Sequence, residues 1–249
     1  MKEMLVSKGL NLEVTTFSKP QYLDDSDAHL AEYKRNLSEL PSCRILVHGP
    51  FIDLNIVSSD PGIAAISRAR YLQSIRCARE LGAEAITFHT QYNPLLRLGS
   101  YIREWLVGTA RFLVEMTQDP VCEGLDIYVE NMFEDSPDLM VELMKAVDSP
   151  RVGITLDVGH VGVYGKGEYS RWIRMMAPYI RHVHLSDNHG MVDEHLPLGS
   201  GIVDFKEVFA SLARFDVRPT YTIEMGSPEK QQESLDYLDS LSEGRKSPD

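Results

Sequence analysis

Cysteine is scarce in this chain and follows no pattern. Cys43, Cys77 and Cys122 are an odd number, widely spaced, with no C-x-x-C pair. That argues against a disulfide framework and a thiolate metal knuckle, and it fits reduced thiols in a cytoplasmic protein. Basic residues are outnumbered, 25 Lys and Arg against 37 Asp and Glu, for a formal net charge of −12. A surplus of that sign opposes non-specific binding to nucleic acid or anionic membranes, although a local basic stripe or bound metal cations can override it. Long apolar runs are missing too. The opening "MKEMLVSKGLNLEV" reads as neither a signal peptide nor a membrane span. No Pro/Gly/Ser-rich linker interrupts the 249 residues, so 1–249 reads as a single domain of ordinary globular composition.

What is present is a regular alternation. Seven short segments are rich in β-branched residues: 12–17, "RILVHG" (44–49), "AITFH" (85–89), "DIYVEN" (126–131), "VGITLDV" (152–158), "RHVHLS" (181–186) and "TYTIEM" (220–225). Between them run helical periodicities with caps. Ser136-Pro137 and Ser227-Pro228 each offer an N-cap serine followed by proline at the first helical position. Asp204 and Glu207 have capping-box spacing, and Gly82 is a helix stop directly before a strand. Strands alternating with helices predict βαβ units and a parallel sheet.

Side-chain parity sharpens the fold class. Ile154, Leu156 and Val158 oppose Gly153, Thr155 and Asp157; Ile86 and Phe88 oppose Ala85, Thr87 and His89; Ile45 and Val47 oppose Leu46 and His48. One face is apolar and the other is small or polar, ending in a group that binds metal or moves a proton. An open doubly wound sheet would read as continuous apolar runs, so the pattern predicts a TIM-type (β/α) barrel. Only seven strands are legible, and "MKEMLVSKGL" reads like the end of a first helix. The first βα unit is thus expected to be absent or shortened, replaced by a partner strand, or lost to a misplaced start.

The groups at the strand tips are His48, His89, Glu130, Asp157, His184 and Glu224, separated by 41, 41, 27, 27 and 40 residues. Each step is one βα unit, so six successive units deliver a ligand-type residue to the same strand ends. A lone strand histidine is more often a hydrogen-bonded core residue than a ligand; six in one parity predict a metal site. The run "RHVHLSDNHGMVDEHLPLGSG" (181–201) adds four of the chain's eight histidines.

The ordered set "VHGPF", "FHT", "YVENM", "LDVGH", "HVHLSDN", "DEHLPLGSG" and "TIEM" resembles the xylose isomerase-like TIM-barrel superfamily, from about Leu12 to the C-terminal helix. That superfamily includes sugar and sugar-phosphate isomerases and epimerases together with the endonuclease IV group. The resemblance to ketose 3-epimerases implies one divalent ion held by Glu130, Asp157, His184 and Glu224. The resemblance to endonuclease IV implies nine ligands for three zinc ions: His48, His89 and Glu130; Glu130, Asp157, His184 and Glu224; and His160, Asp193 and His195. One to three ions per chain are therefore expected, zinc or manganese, cobalt or magnesium. "LDVGH" and "HLPLGSG" lean to the isomerase side. The arginine that epimerases keep beyond the strand-seven histidine is missing, and "FSKPQYLDDSD" lacks the arginine-rich grip of the nuclease group.

The resemblance implies a sugar or sugar-phosphate isomerase or epimerase. In it Glu130 and Glu224 move a proton beside a carbonyl through an enediolate. The alternative is a zinc phosphodiesterase acting on abasic DNA; a third is a metal-stabilised barrel without catalysis. His160, Phe51, Arg97 and Lys166 are candidate substrate contacts, with Arg103 a further basic group near His89. Lys166 falls in "GVYGKGEYS" (162–170), which reads as a flexible loop; a solvated lysine is its commoner fate. His182 is expected to be buried packing, His189 exposed, His29 without a role, and Asn131 to act in the loop above Glu130 rather than at metal. The expected partner is a small sugar, with no membrane, nucleic acid disfavoured and a homo-oligomer open.

Overall fold

The computed structural model describes residues 2–39, 43–96 and 98–243. Their elements run α1 (Lys2–Lys8), β1 (Leu12–Val14), α2 (Pro20–Asp24), α3 (Ser26–Ser38), β2 (Ile45–His48), α4 (Pro61–Glu80), β3 (Ala85–His89), α5 (Gly99–Gln118), β4 (Asp126–Glu130), α6 (Asp138–Val147), β5 (Val152–Asp157), α7 (Val158–Val163), α8 (Tyr169–Met176), β6 (Ile180–Leu185), α9 (Phe205–Arg214), β7 (Thr220–Ile223) and α10 (Pro228–Glu243). The strands form one seven-stranded sheet in chain order. This is the parallel, helix-alternating arrangement of the (β/α)-barrel class, with seven strands among the described residues. By contact the chain divides into two compact units, Met1–Glu130 with Glu142–Gly153, and Asn131–Val141 with Ile154–Asp249.

In the first unit β1, β2, β3 and β4 pair in parallel register. Asp60 caps α4 by accepting from the Gly62 and Ile63 amides (2.7 and 3.3 Å), with Pro61 at the first helical position. Gly82, at φ +71°, stops the helix where a side chain would be strained. The buried face of α4 meets β3 through Tyr71, which stacks on Phe88 at 4.3 Å and meets Phe112 of α5 edge-on at 5.3 Å. Each buried ring of this kind stabilises by about 1.5–3 kcal/mol. The segment 12–17 departs from its expected strand. Pairing ends at Val14, and Thr16–Ser18 turn into a 3₁₀ helix that buries Phe17, so local β-propensity yields to burial of one aromatic.

In the second unit β5, β6 and β7 are parallel. Asp204 caps α9 through the Glu207 amide (2.9 Å). The reciprocal arm expected of a capping box is directed elsewhere, because Glu207 Oε1 accepts from the Ser170 amide at the start of α8 (3.2 Å). The expected loop at 162–170 is a correction. Residues 158–163 are helical and α8 resumes at Tyr169, leaving a tight turn between them. That turn is pinned: Trp172 is fully buried, donates from Nε1 to the Gly165 carbonyl (3.2 Å), and lies where a Cβ on Gly165 would sit 2.8–2.9 Å from its ring. No helix among the described residues is long and apolar enough to cross a membrane, and all three cysteines are unpaired.

Candidate metal centre

In the first unit, sheet register gathers ligand-type side chains at strand ends. His89 and Glu130 are register partners, and His48 ends β2 beside Thr87. His48 Nε2 lies 3.1 Å and His89 Nε2 3.3 Å from the same Glu130 Oε2, and ligand atoms of all three fall within 4.8 Å of one another. Phe51 stacks on His89 (4.3 Å between centroids, planes at 19°) and meets His48 edge-on. Glu130 and His48 are almost fully buried. Removing such a set from water costs several kcal/mol per ion, so stability alone does not account for it.

The tautomer at His48 is informative. Its Nδ1 lies 2.9 Å from the Gly49 carbonyl oxygen, which can only accept, so Nδ1 carries the proton. A neutral ring then points its Nε2 lone pair at the Glu130 carboxylate. Lone pair against anion is repulsive unless a proton or a metal cation lies between them. Metal-binding histidines are commonly oriented in this way, with the distal ring nitrogen bonded to a carbonyl.

The second unit carries two clusters. Asp157 and His184 are register partners on β5 and β6, and Glu224 directly follows β7. His184 Nδ1 lies 3.3 Å from Glu224 Oε2 and 3.8 Å from Asp157 Oδ2. Asp157 and His184 are fully buried, while the Glu224 side chain keeps 25% exposure. Asp157 also shapes the backbone, because its Oδ1 accepts from the His160 amide (2.7 Å) and caps α7.

The other cluster joins α7 to the loop after β6. His160 Nε2 (3.3 Å) and His195 Nε2 (2.9 Å) both face Asp193 Oδ2. Both Nδ1 atoms are occupied by carbonyls, His160 with Asn131 (2.8 Å) and His195 with Glu224 (3.0 Å), so the tautomer argument repeats twice. Asp193 Oδ1 is buried without a hydrogen-bond partner. Burial opposes ionisation of Asp193, but hydrogen bonds and positive charge from His160 and His195 outweigh it and hold this carboxyl well below the usual range. The hydrogen bond to Asp193 raises His195 to about 9, against a smaller opposing effect of burial and with help from the Glu224 charge. Two imidazoles and a carboxylate with an unsatisfied oxygen suit a zinc-type divalent ion.

Residues 9–241 match the family described as xylose isomerase-like TIM barrel. The chain belongs to this family. Among curated relatives, it is 31% identical over 200 residues to an uncharacterized protein, MJ1311, of Methanocaldococcus jannaschii, covering 78% of this chain and 68% of that protein. It is 24% identical to a probable endonuclease 4 of Mesomycoplasma hyopneumoniae strain J, covering 72% and 68%. Among solved structures, a D-tagatose 3-epimerase-like protein aligns with TM-score 0.76 and 27% identity over 93% of this chain and 87% of that one. The TTHB071 protein of Thermus thermophilus, soaked with ZnCl2, aligns at 0.79 and 26% over 97% and 92%.

The remaining expected residues of this xylose isomerase-like chain fall as follows. His182 is buried one layer below His184 and satisfied by Thr220 and Thr222 hydroxyls (2.6 and 2.9 Å). His189 is exposed and paired with Glu194 (2.9 Å). His29 meets Tyr22 edge-on (4.8 Å between ring centroids). Lys166 is exposed at φ +62° in the turn after α7. Arg97 lies outside the described residues. Asn131 is more than a loop residue: its side chain bridges both backbone groups of Asp157 (2.9 and 3.0 Å) while its carbonyl orients His160. The sequence reading also missed Asp187 and Asn188, fully buried polar groups beneath the ligand loop. Their only signal was a place in the same run, 181–201, as the glycine-rich "LPLGSG" they support.

Proposed function

We propose that this protein is a divalent-metal-dependent isomerase or epimerase of a sugar or sugar phosphate, and that 1–249 acts as one domain. The proposed ligands of the central ion are Asp157, His184 and Glu224 with Glu130. Peptide continuity supports the inclusion of Glu130, because its neighbour Asn131 is tied to the Asp157 backbone at two points. His48 and His89 with Glu130, and His160 and His195 with Asp193, are proposed as further ion sites. Bound at the central site, a divalent ion would polarise a carbonyl and its adjacent hydroxyl and acidify the carbon that bears the hydroxyl.

Glu224 is then the accessible base. Its carboxylate takes the proton from that carbon, leaving an enediolate; Glu130, entering the step as the carboxylic acid, is the proposed partner that gives its proton to the substrate, and exchange with solvent then resets both groups. Buried His184 holds Glu224 in place through Nδ1. Phe51 offers a flat face beside His89 for a sugar ring, and His160, Arg97 and Lys166 are the proposed polar contacts.

The observation that carries this reading over its rival concerns charge. The segments 15–19, 49–60, 90–98, 131–137, 158–168 and 186–204, which follow β1 to β6, contain three Lys or Arg between them, Lys19, Arg97 and Lys166. They instead present exposed Leu95, Phe133 and Met191. Affinity for duplex DNA comes chiefly from phosphate contacts by cations, so this composition suits a small ligand. Solvent-deuterium uptake into ketoses and ketose phosphates by the metal-loaded protein tests the proposal; no uptake into any of them would sink it.

A second reading, zinc-dependent cleavage of abasic DNA, is favoured by one observation: His48, His89 and Glu130 offer ligand atoms within 4.8 Å of one another outside the central set. Nicking of an abasic duplex, abolished by chelator and accompanied by three ions per chain, would establish it in place of the first.

A further inference from the structure

His160 sits on α7, whereas Asp193 and His195 sit on a loop of nearly twenty residues between β6 and α9. A loop that long does not by itself hold two ligands against a third. Beneath it lies Asp187, fully buried and touching none of these three residues. Its carboxylate accepts four backbone N–H groups: Asn188 (2.9 Å) and Val203 (3.0 Å) on Oδ1, Gly199 (3.0 Å) and Gly201 (2.8 Å) on Oδ2. Its own backbone pairs both ways with Leu196 (2.8 and 3.1 Å), directly after His195. The two ends of the ligand-bearing segment are thus drawn onto one side chain.

Asn188 extends the clasp to the helix. Its Nδ2 donates to the Gly159 carbonyl (2.9 Å), next to His160, while its Oδ1 accepts from Gly190 (2.9 Å) and its carbonyl from Ile202 (2.8 Å). The fit leaves no slack: a Cβ on Gly201 would overlap both the Asn188 carbonyl and the Asp187 carboxylate.

We propose that Asp187, with Asn188, is a positioning device that presets Asp193 and His195 against His160, so that this half-site is formed before an ion arrives. The inference rests on the metal reading of that half-site given above. Preset geometry matters because affinity is otherwise reduced by the cost of ordering the loop at the moment of binding. Removing a partner that orients ligands from outside the coordination sphere typically weakens metal binding about 10- to 100-fold.

The test uses the full chain and its Asp187→Asn variant, with Co2+ and Zn2+ as probes in equilibrium dialysis. Selective weakening of one ion by about 10- to 100-fold is expected with the other ions close to wild type, alongside a fall in melting temperature because asparagine leaves buried N–H groups unsatisfied. A merely structural role would weaken all ions together, and that outcome, or unchanged binding of every ion, overturns the proposal. Should Asp187→Asn fail to fold, Gly201→Ala keeps the carboxylate while pushing the loop off it, and the same selective loss is expected there. Amide hydrogen exchange at Gly199, Gly201 and Val203 judges the clasp without metal. Exchange faster than wild type in the variant is expected, and retained protection refutes the clasp. If the wild-type chain takes up no ion through His160, Asp193 and His195, the metal reading of the half-site fails, while the exchange result still decides whether Asp187 holds the loop.

Discussion

The His48–His89–Glu130 cluster and the His160–Asp193–His195 cluster use the same chemistry on different supports. In each, two imidazole Nε2 atoms converge on one carboxylate oxygen at 2.9–3.3 Å. In the first unit the three residues end adjacent parallel strands, and backbone hydrogen bonding sets their spacing before any side chain is considered. In the second unit one residue rides on a six-residue helix and two on a loop, with His195 itself at φ +48°. A non-glycine residue in that region is held by its surroundings, here a clasp of buried hydrogen bonds. Side chains on a ladder are spaced by the backbone itself; side chains on a loop need a supporting layer.

The contrast can be broken experimentally, starting with the largest effect. Glu130→Gln removes the carboxylate on which both first-unit histidines converge and which the proposed proton transfer requires. Deuterium exchange into substrate should fall by about 10²–10⁴-fold, with loss of the ion at His48 and His89. If exchange survives, the acid–base assignment is wrong. Next, Asp193→Asn should remove one ion and leave the first-unit ion in place, read as metal equivalents per chain; simultaneous loss of both would show that the two clusters are not separate.

A smaller effect is expected from pH in metal-free protein. His195 is raised to about 9 in the folded chain, above an unfolded value of about 6.5. Its stabilising contribution is therefore complete below about pH 6.5 and is lost as pH rises through about 9. Asp193 is depressed, so its contribution is present above its unfolded value of about 3.9 and lost as pH falls below that. Melting temperature should consequently decline on both sides of a window between about pH 4 and 6.5. An Asp193→Asn variant should flatten both shoulders. Metal must displace the His195 proton, so affinity at this half-site should rise toward pH 9. The smallest change is expected from Lys166→Ala. Exposed in its turn, Lys166 should affect substrate KM by a few-fold for a phosphorylated sugar, with metal content unaltered; no change in KM would leave the lysine as plain surface.

Much of this was legible in the chain because a parallel sheet obeys local rules. All seven strands were found within a few residues of their ends, since alternation of apolar with small or polar residues follows from which face is buried. The ligand-type residues at the strand tips follow from the same parity. Errors fell where a tertiary contact outweighed propensity: Phe17 turning inward after Val14, and Gly165 tucked beneath Trp172 where a loose loop was expected. Asn131 was assigned to the loop by parity, yet its short amide reaches the Asp157 backbone, a contact no periodicity encodes.

By itself, then, the sequence determined the order of strands, the family and the candidate ligand-type residues, because these depend on residue type and on a repeat of one βα unit. Tertiary structure decided which of those residues lie side by side. Three histidine ring orientations depend on carbonyls at Gly49, Asn131 and Glu224, and the loop carrying Asp193 and His195 is held by a carboxylate at Asp187 that hydrogen-bonds to neither. Hydrogen bonds across tens of residues have no sequence signature, because only the folded backbone brings their two ends within 3 Å.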